Sequence, residues 1–192
     1  MLSEDKKTLL KKFSKLVIEA NHKHNLTAYK HYETFYKEQI NDCLKAKEAC
    51  LKACEKTIVD YGSGAGLPGL VWAAVDQNLK LVSVDSNLKK VEFQKNLIRK
   101  LLIKNTTCCH LRMEEHDIQE KHTAVFKAFS TIKKTLEKIK QNKLRTNLMF
   151  LKKNNEKTQE EILEAKPLLY DYKIHPYKSN LGNMCVVEVY DN

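Results

Sequence analysis

Four of the five glycines in this chain fall between positions 62 and 69. A β-branched run at residues 57–59 and an acidic residue, Asp60, come before them, and Pro68 leads into an apolar segment after them. Glycine allows positive φ and close approach of a ligand to the main chain, and a helix start presents free N–H groups. One or two glycines would suffice for a tight structural turn. The order of strand, glycine-rich turn and helix therefore predicts a loop for a nucleotide or nucleoside cofactor on an α/β sheet.

Strand-like and amphipathic segments alternate after this turn. We predict strands at residues 79–85, 106–113, 124–129 and 146–151, with helices at 87–103, 131–140 and 158–165. Two further strands, 168–174 and 184–190, have no helix between them, so they form an antiparallel hairpin at one edge, joined through Pro176, Asn180 and Gly182. The alternation predicts a mostly parallel sheet covered on both faces, with its ligand at the carboxyl ends of the strands.

The first 55 residues follow a helical pattern instead. Leu9, Leu10, Phe13, Leu16 and Val17 repeat at helical spacing behind a capping residue, Ser3. Residues 21–27 break the pattern and are predicted to be a loop, and residues 32–55 resume the helix. We therefore divide the 192 residues into an N-terminal helical extension, 1–55, and one Rossmann-like unit, 56–192.

Two cofactor patterns overlap in the glycine turn. Glycines at 64, 66 and 69 match the dinucleotide fingerprint G-x-G-x-x-G. Counted from the strand, an acid at 60 precedes glycines at 62, 64 and 66, which resembles the S-adenosylmethionine loop of the Rossmann-like methyltransferases. No G-K-[ST] follows, which excludes a Walker-type ATPase. Asp85 ends the next strand, where it could accept hydrogen bonds from ribose hydroxyls; alternatively it is a turn acid that caps the helix at Asn87.

The net charge of +10 is concentrated in one segment. Residues 121–157 hold eleven Lys and Arg against two acidic residues, which is +9 of the total. Phosphate backbones attract such patches through Coulomb forces and counterion release, so a nucleic acid is the expected partner. A membrane is not expected, because no long apolar face accompanies the charge and no apolar run approaches the length that spans a bilayer.

The spacing of the cysteines indicates whether they bind a metal and whether they form disulfides. The six cysteines include no C-x-x-C pair and no histidine partner at zinc spacing. We expect reduced, mostly buried thiols in a cytoplasmic protein, and no metal site.

Several motifs together resemble one family, the RsmG (GidB) methyltransferases. The turn at 62–69 is similar to its G-T/S-G-x-G-x-P-G loop, and Asn25-Leu26-Thr27-Ala28 to its N-L-T-A motif. Supporting matches are the segment 85–93 to D-S-x-x-K-R-x-x-F/L, residues 112–115 to R-x-E-E, 127–129 to R-A-F/V, and 151–152 to the late A-L-K-G. The resemblance implies a Rossmann-like class I fold that transfers a methyl group from S-adenosylmethionine to N7 of a guanine in bacterial 16S ribosomal RNA.

The resemblance also implies site residues. Cofactor contacts are expected from Gly62, Gly64, Gly66, Leu67, Asp85, Met113, Glu114 and Lys127. RNA contacts are expected from Asn25, Lys127, Lys133, Lys134, Lys138 and Lys152. The nucleophile that the family uses needs no deprotonation, so we name no catalytic acid or base, and we expect a monomer.

Four positions depart from the family pattern. Lys127 stands in place of arginine, Gln39 in place of the histidine of H-x-x-D-S, and Lys153 in place of the glycine of A-L-K-G; Asp42 is retained, with Cys43 in place of serine. Two alternatives therefore stay open at this point. One is a nicotinamide-dependent oxidoreductase on the same fold, and the other is a catalytically weakened RNA-binding or assembly module.

Overall fold

The computed structural model describes residues 2–50, 53–118, 120–142, 146–168 and 171–190, with the backbone alone for 140–142. The N-terminal part consists of α1 (Glu4–His24), α2 (Tyr32–Phe35), a π-helical turn (Tyr36–Ile40) and α3 (Asn41–Cys50). The strands are β1 (Thr57–Tyr61), β2 (Lys80–Asp85), β3 (Thr106–His110), β4 (Thr123–Lys127), β5 (Asn147–Lys153), β6 (Asp171–Ser179) and β7 (Gly182–Tyr190). The remaining helices are α4 (Gly69–Val75), α5 (Leu88–Leu101), α6 (Ile132–Asn142) and α7 (Glu156–Ala165), with 3₁₀ turns at Met113–Glu115 and Lys166–Leu168.

The seven strands form one sheet in the order β3-β2-β1-β4-β5-β7-β6. Strands β1 to β5 are parallel, and β7 is antiparallel to both β5 and β6. The predicted α/β class, the mostly parallel sheet and the C-terminal antiparallel hairpin are thus confirmed. The strand order reverses between β1 and β4, so the carboxyl ends of these two strands border the crevice where ligands bind in such sheets.

Several predicted boundaries are wrong, and three of them have a clear local reason. Helix α1 continues through the predicted loop to His24 and ends at Asn25, whose φ of 48° is left-handed. Strand β3 ends at His110, because residues 113–115 turn into a 3₁₀ helix. Pro176 lies within β6 and not in the hairpin turn. Because β6 is the edge strand, the N–H that proline lacks is not needed for pairing with another strand.

The loop after α1 is organised by one side chain, that of Asn21. Its Nδ2 donates to the carbonyl oxygens of Thr27 (2.8 Å) and Tyr29 (3.3 Å). Its Oδ1 accepts from the N–H groups of Leu26 (2.7 Å) and Thr27 (2.9 Å). A single amide therefore satisfies four main-chain groups of a segment that has no regular structure.

Apolar side chains cover both faces of the sheet. On one face, Leu10 and Phe13 of α1 are fully buried in the same cluster as Trp72 of α4 and Leu97 of α5. On the other, α6 and α7 pack over Val59 and Phe126 among others. The N-terminal helices thus share a core with the sheet, and the division at residues 55/56 stays a prediction. No helix in the described part of the chain is long and apolar enough to cross a bilayer.

Candidate cofactor-binding site

The glycine turn follows β1 at the crevice. Gly62 and Gly64 have φ of 70° and 56°, which residues with a side chain rarely adopt. A Cβ on Gly62 would lie 2.5 Å from Cδ2 of Phe129, so the ring of Phe129 rests directly over the main chain there. A Cβ on Gly64 would meet only the carbonyl oxygen of Gly62, at 3.8 Å. The turn is thus closed by Phe129 at its first glycine and open at its second.

Asp60 lies beneath the turn and holds its far end. Its Oδ2 accepts from the N–H of Gly69 at 2.8 Å, where α4 begins. The side chain is buried, and burial raises its pKa to about 8, outweighing the opposing effects of that hydrogen bond and of the charge on Lys127. Its Oδ1 has no hydrogen-bond partner in the described part of the chain. A buried acceptor is therefore available at the base of the turn.

Asp85 joins the turn to α5. Its Oδ2 accepts from the N–H of Gly64 (2.8 Å) and its Oδ1 from the N–H of Asn87 (2.9 Å). The helix is capped by Asn87 itself, whose Oδ1 accepts from Lys89 and Lys90. Asp85 thus makes the turn contact of the alternative interpretation, while Asn87 supplies the helix cap itself. Each carboxylate oxygen of Asp85 keeps a lone pair for a further donor, as a ribose-binding carboxylate needs.

A cavity of about 110 Å³ opens between the ends of β1, β2 and β3. Gly62, Val84 and Asp85 form one side, and Met113 and Glu114 the other. An acidic acceptor beside apolar walls suits a nucleoside, with the ribose at Asp85 and the base against Met113. The residues present therefore fit the adenosine half of S-adenosylmethionine. Gly64, Gly66, Leu67 and Lys127, which the sequence also predicts as cofactor contacts, lie outside the lining of this cavity.

Gln94 of α5 was missed by the sequence reasoning. It is 1% exposed, and its Nε2 donates to Ser63 Oγ (2.8 Å) and to the carbonyl of Gly64 (2.9 Å). Its Oε1 accepts from Ser83 Oγ at 2.5 Å. This amide supports the turn from behind. The available signal was a glutamine among the apolar positions of an amphipathic helix.

Lys127 ends β4 on the far side of the crevice. Its Nζ donates to Oε1 of Gln39 at 2.7 Å, and Gln39 in turn donates to the hydroxyl of Tyr29 at 3.0 Å. Burial raises the pKa of Asp42, while the positive charge of Lys127 and hydrogen bonds from Ser179 and Tyr177 oppose that shift. Lys127 is thus bonded to the amide of Gln39 and close enough to two buried carboxyl groups, Asp42 and Asp60, for its charge to act on both.

The residues predicted to contact RNA differ in their burial and in their partners. Lys133 and Lys134 are exposed on α6, and Asn25 is exposed at the end of α1. Lys138 instead pairs with Glu114 at 2.5 Å on the rim of the cavity. Lys152 is largely buried and donates to Glu161 (2.7 Å) and to the carbonyl of Ser130 (3.1 Å). Lys143 and Arg145 of the basic segment lie outside the described residues.

The sheet order and the glycine turn define the fold of the Rossmann-like methyltransferases. The O-methyltransferase from Bacillus cereus in complex with SAH superposes with a TM-score of 0.61 at 10% identity, covering 94% of this chain and 91% of that one. The chain belongs to the rRNA small subunit methyltransferase G (GidB) family, whose model it matches over residues 6–180.

Two relatives illustrate this membership. The ribosomal RNA small subunit methyltransferase G of Brachyspira hyodysenteriae is 32% identical over 178 residues, which cover 90% of this chain and 84% of the relative. That of Clostridium perfringens (strain SM101 / Type A) is 35% identical over 113 residues, 59% of this chain. That match spans about half, 47%, of the Clostridium protein's length.

Proposed function

We propose that the protein transfers a methyl group from S-adenosylmethionine to N7 of a guanine in bacterial small-subunit ribosomal RNA. The observation that carries the proposal is the cradle in which the N–H of Gly64 is fixed to Asp85 at the strand-order reversal. This cradle occurs in a chain of the rRNA small subunit methyltransferase G family.

The cavity and Asp85 favour one orientation for the cofactor. Asp85 would accept from the ribose, and Met113 and Glu114 would lie against the adenine. The orphaned Oδ1 of Asp60, together with Asp42, would face the cationic end of the methionine moiety, and Lys127 would face its carboxylate. When bound, S-adenosylmethionine supplies an electrophilic methyl group on a sulfonium.

The chain's own residues then have to position the guanine. N7 carries a lone pair in the ring plane and acts as an acceptor, so it needs no deprotonation before it attacks. Alignment of nucleophile, methyl group and leaving sulfur is then the main requirement. We accordingly assign Lys127, Gln39 and Phe129 to shaping the crevice around the guanine, and we assign no residue as a general base.

The two alternatives find no support in the comparisons. The relatives are methyltransferases by name, and the SAH complex has the same fold. We expect the working form to be a monomer. We place this activity in the cytoplasm, where ribosomal subunits are made.

The test is methyl transfer from radiolabelled S-adenosylmethionine by the purified protein. The acceptors are deproteinised small-subunit rRNA and small subunits from a strain that lacks the enzyme. We expect 7-methylguanosine at one position by mass mapping, and a thermal shift with S-adenosylmethionine but none with NAD. A shift with NAD alone, or a methylated product other than 7-methylguanosine, would contradict the proposal.

A further inference from the structure

A second concave surface lies away from the cofactor cavity. It is a groove of about 620 Å³ between the start of α1, the π-helical turn with α3, and the tip of the β6–β7 hairpin. None of the residues nominated from the sequence lines it, and it contains no part of the glycine turn. We call it the π-turn groove.

Its floor is apolar and its rim is cationic. Leu2, Tyr36, Leu44 and Val75 provide apolar surface, with the Tyr36 ring partly exposed. Four lysines, Lys7, Lys45, Lys47 and Lys178, line it against one acidic residue, Glu48. An aromatic platform bordered by ammonium groups is the combination that proteins use for single-stranded nucleic acid, because bases stack and phosphates pair.

Three of these four lysines have partners within the protein. Lys7 pairs with Glu4 and Lys45 with Glu48, both on exposed helix surface, where such pairs contribute little and a phosphate can compete. Lys47 is less available, since it is largely buried beside Asp76. Lys178 is exposed at the hairpin tip and has no ion pair in the described part of the chain. Lys45 and Lys178 are exposed whereas Lys7 is half-buried, so Lys45 and Lys178 are the two cations best placed to meet a phosphate.

The groove is connected to the crevice through one short segment. The i to i+5 periodicity of the π-helical turn brings Tyr36 and Asn41 to the groove, while Gln39 between them bonds Lys127. Ser179 lines the groove and donates to buried Asp42, which in turn feels the charge of Lys127. Residues 36–42 therefore contribute to both surfaces.

We propose that the π-turn groove binds a single-stranded segment of the substrate RNA flanking the target guanine, with a base on Tyr36 and phosphates at Lys45 and Lys178. This inference rests on the proposed function, because it takes the RNA to be the substrate. The groove would hold the RNA in register while the crevice acts on the guanine.

The first test reverses charge in the groove. The double variant Lys45→Glu with Lys178→Glu should weaken binding of small-subunit rRNA by about tenfold or more. Its log–log salt slope should be shallower by roughly 0.7 for each phosphate that is no longer neutralised. The matched control is Lys12→Glu with Lys100→Glu, two exposed lysines on α1 and α5 that change the net charge equally. S-adenosylmethionine affinity should be unchanged in both.

The second test concerns the ring. Tyr36→Leu should weaken rRNA binding by at least about fivefold, whereas Tyr36→Phe, which keeps the stacking surface, should not. If the parent methylates rRNA while both groove variants bind it like their controls, the groove inference is overturned and the proposed function stands. If RNA binding is unchanged but an acidic peptide protects Tyr36 from chemical modification, the groove is a protein-docking site instead. A parent that neither binds nor methylates rRNA overturns the proposed function itself.

Discussion

Lys127 and Gln39 are 88 positions apart in sequence, yet Nζ of the lysine donates to Oε1 of the glutamine at 2.7 Å. These are two of the four positions where the chain departs from the family motifs. Gln39 offers a neutral acceptor that suits the single ammonium group of a lysine. Because Gln39 is uncharged, the positive charge of Lys127 is not neutralised by it and acts on Asp42 and Asp60. The two departures are therefore one matched replacement.

A double-mutant cycle tests this matching. Gln39→Ala and Lys127→Ala should each lower kcat for methyl transfer. The rise in activation free energy of the double variant should be smaller than the sum of the two single effects by about 0.5–3 kcal/mol, the range for residues in contact. Lys37→Ala, an exposed side chain on the same turn, is the control. Strict additivity would mean that the hydrogen bond between the two side chains has no role in transfer.

Gly64→Val should abolish S-adenosylmethionine binding, because a branched side chain resists a φ of 56° and projects into the open side of the turn. Gly182→Val is the control: its φ of 102° is equally unfavourable, but a Cβ there would have no atom within 4 Å, and it is remote from the cavity. Calorimetry should show affinity abolished in the first folded variant and kept in the second. Equal affinities would remove Gly64 from the site.

Asp85→Ala removes an acceptor for the ribose and also the hydrogen bond to Gly64. We expect a loss of about 1.5–3 kcal/mol in cofactor binding free energy by calorimetry, as for charge-assisted, buried hydrogen bonds. Asn87→Ala should instead cost about 1 kcal/mol of stability through removal of the helix cap and leave affinity intact. An affinity decrease below about threefold in Asp85→Ala would make Asp85 a turn residue only.

Asp60 should make stability depend on pH. Its pKa is about 8 in the folded chain against 3.8 without burial, so the folded state retains a proton that the unfolded state releases between these values. Its contribution is complete below about pH 4 and is lost as pH rises through 8. In the parent, the free energy of unfolding should therefore decrease by up to about 1.4 kcal/mol per pH unit across that window. This decrease should be absent in Asp60→Asn.

Denaturant titrations at pH 5, 6, 7 and 8 measure this slope. Asp76→Asn is the opposite control, because the hydrogen bond from Lys47 lowers the pKa of Asp76 and its contribution is lost as pH falls. Parallel pH profiles for the parent and Asp60→Asn would contradict the prediction.

The basic helix should divide into two functional parts. Lys133→Glu with Lys134→Glu should weaken RNA binding and flatten its salt dependence, with cofactor affinity unchanged, because both side chains are exposed. Lys138→Glu should weaken S-adenosylmethionine binding as well, because it sets two acids against each other at the cavity rim. Measuring both ligands on each folded variant separates these cases; identical effects would show that Lys138 belongs with the RNA-facing pair.

Local signals predicted the sheet, the glycine turn and Asp85, because strand periodicity and glycine spacing are properties of short windows. The partners of Lys127, Lys138 and Lys152 could not be predicted in that way. Each is an ionic or amide contact between elements that only the packed sheet brings together, and a charge run does not reveal which of its members is neutralised. Pro176 was misplaced because an edge strand tolerates a residue that a turn also favours.

The loop that Asn21 closes has a consequence for recognition. Its four hydrogen bonds hold Leu26, Thr27 and Tyr29 in place before any RNA binds. The entropic cost of ordering that segment falls on folding and not on binding. Contacts that the segment makes with RNA would therefore not be weakened by that cost. The amide of Asn21 would thus keep the N-L-T-A motif rigid at the surface. In an Asn21→Ala variant, this segment would have to become ordered as it binds its target.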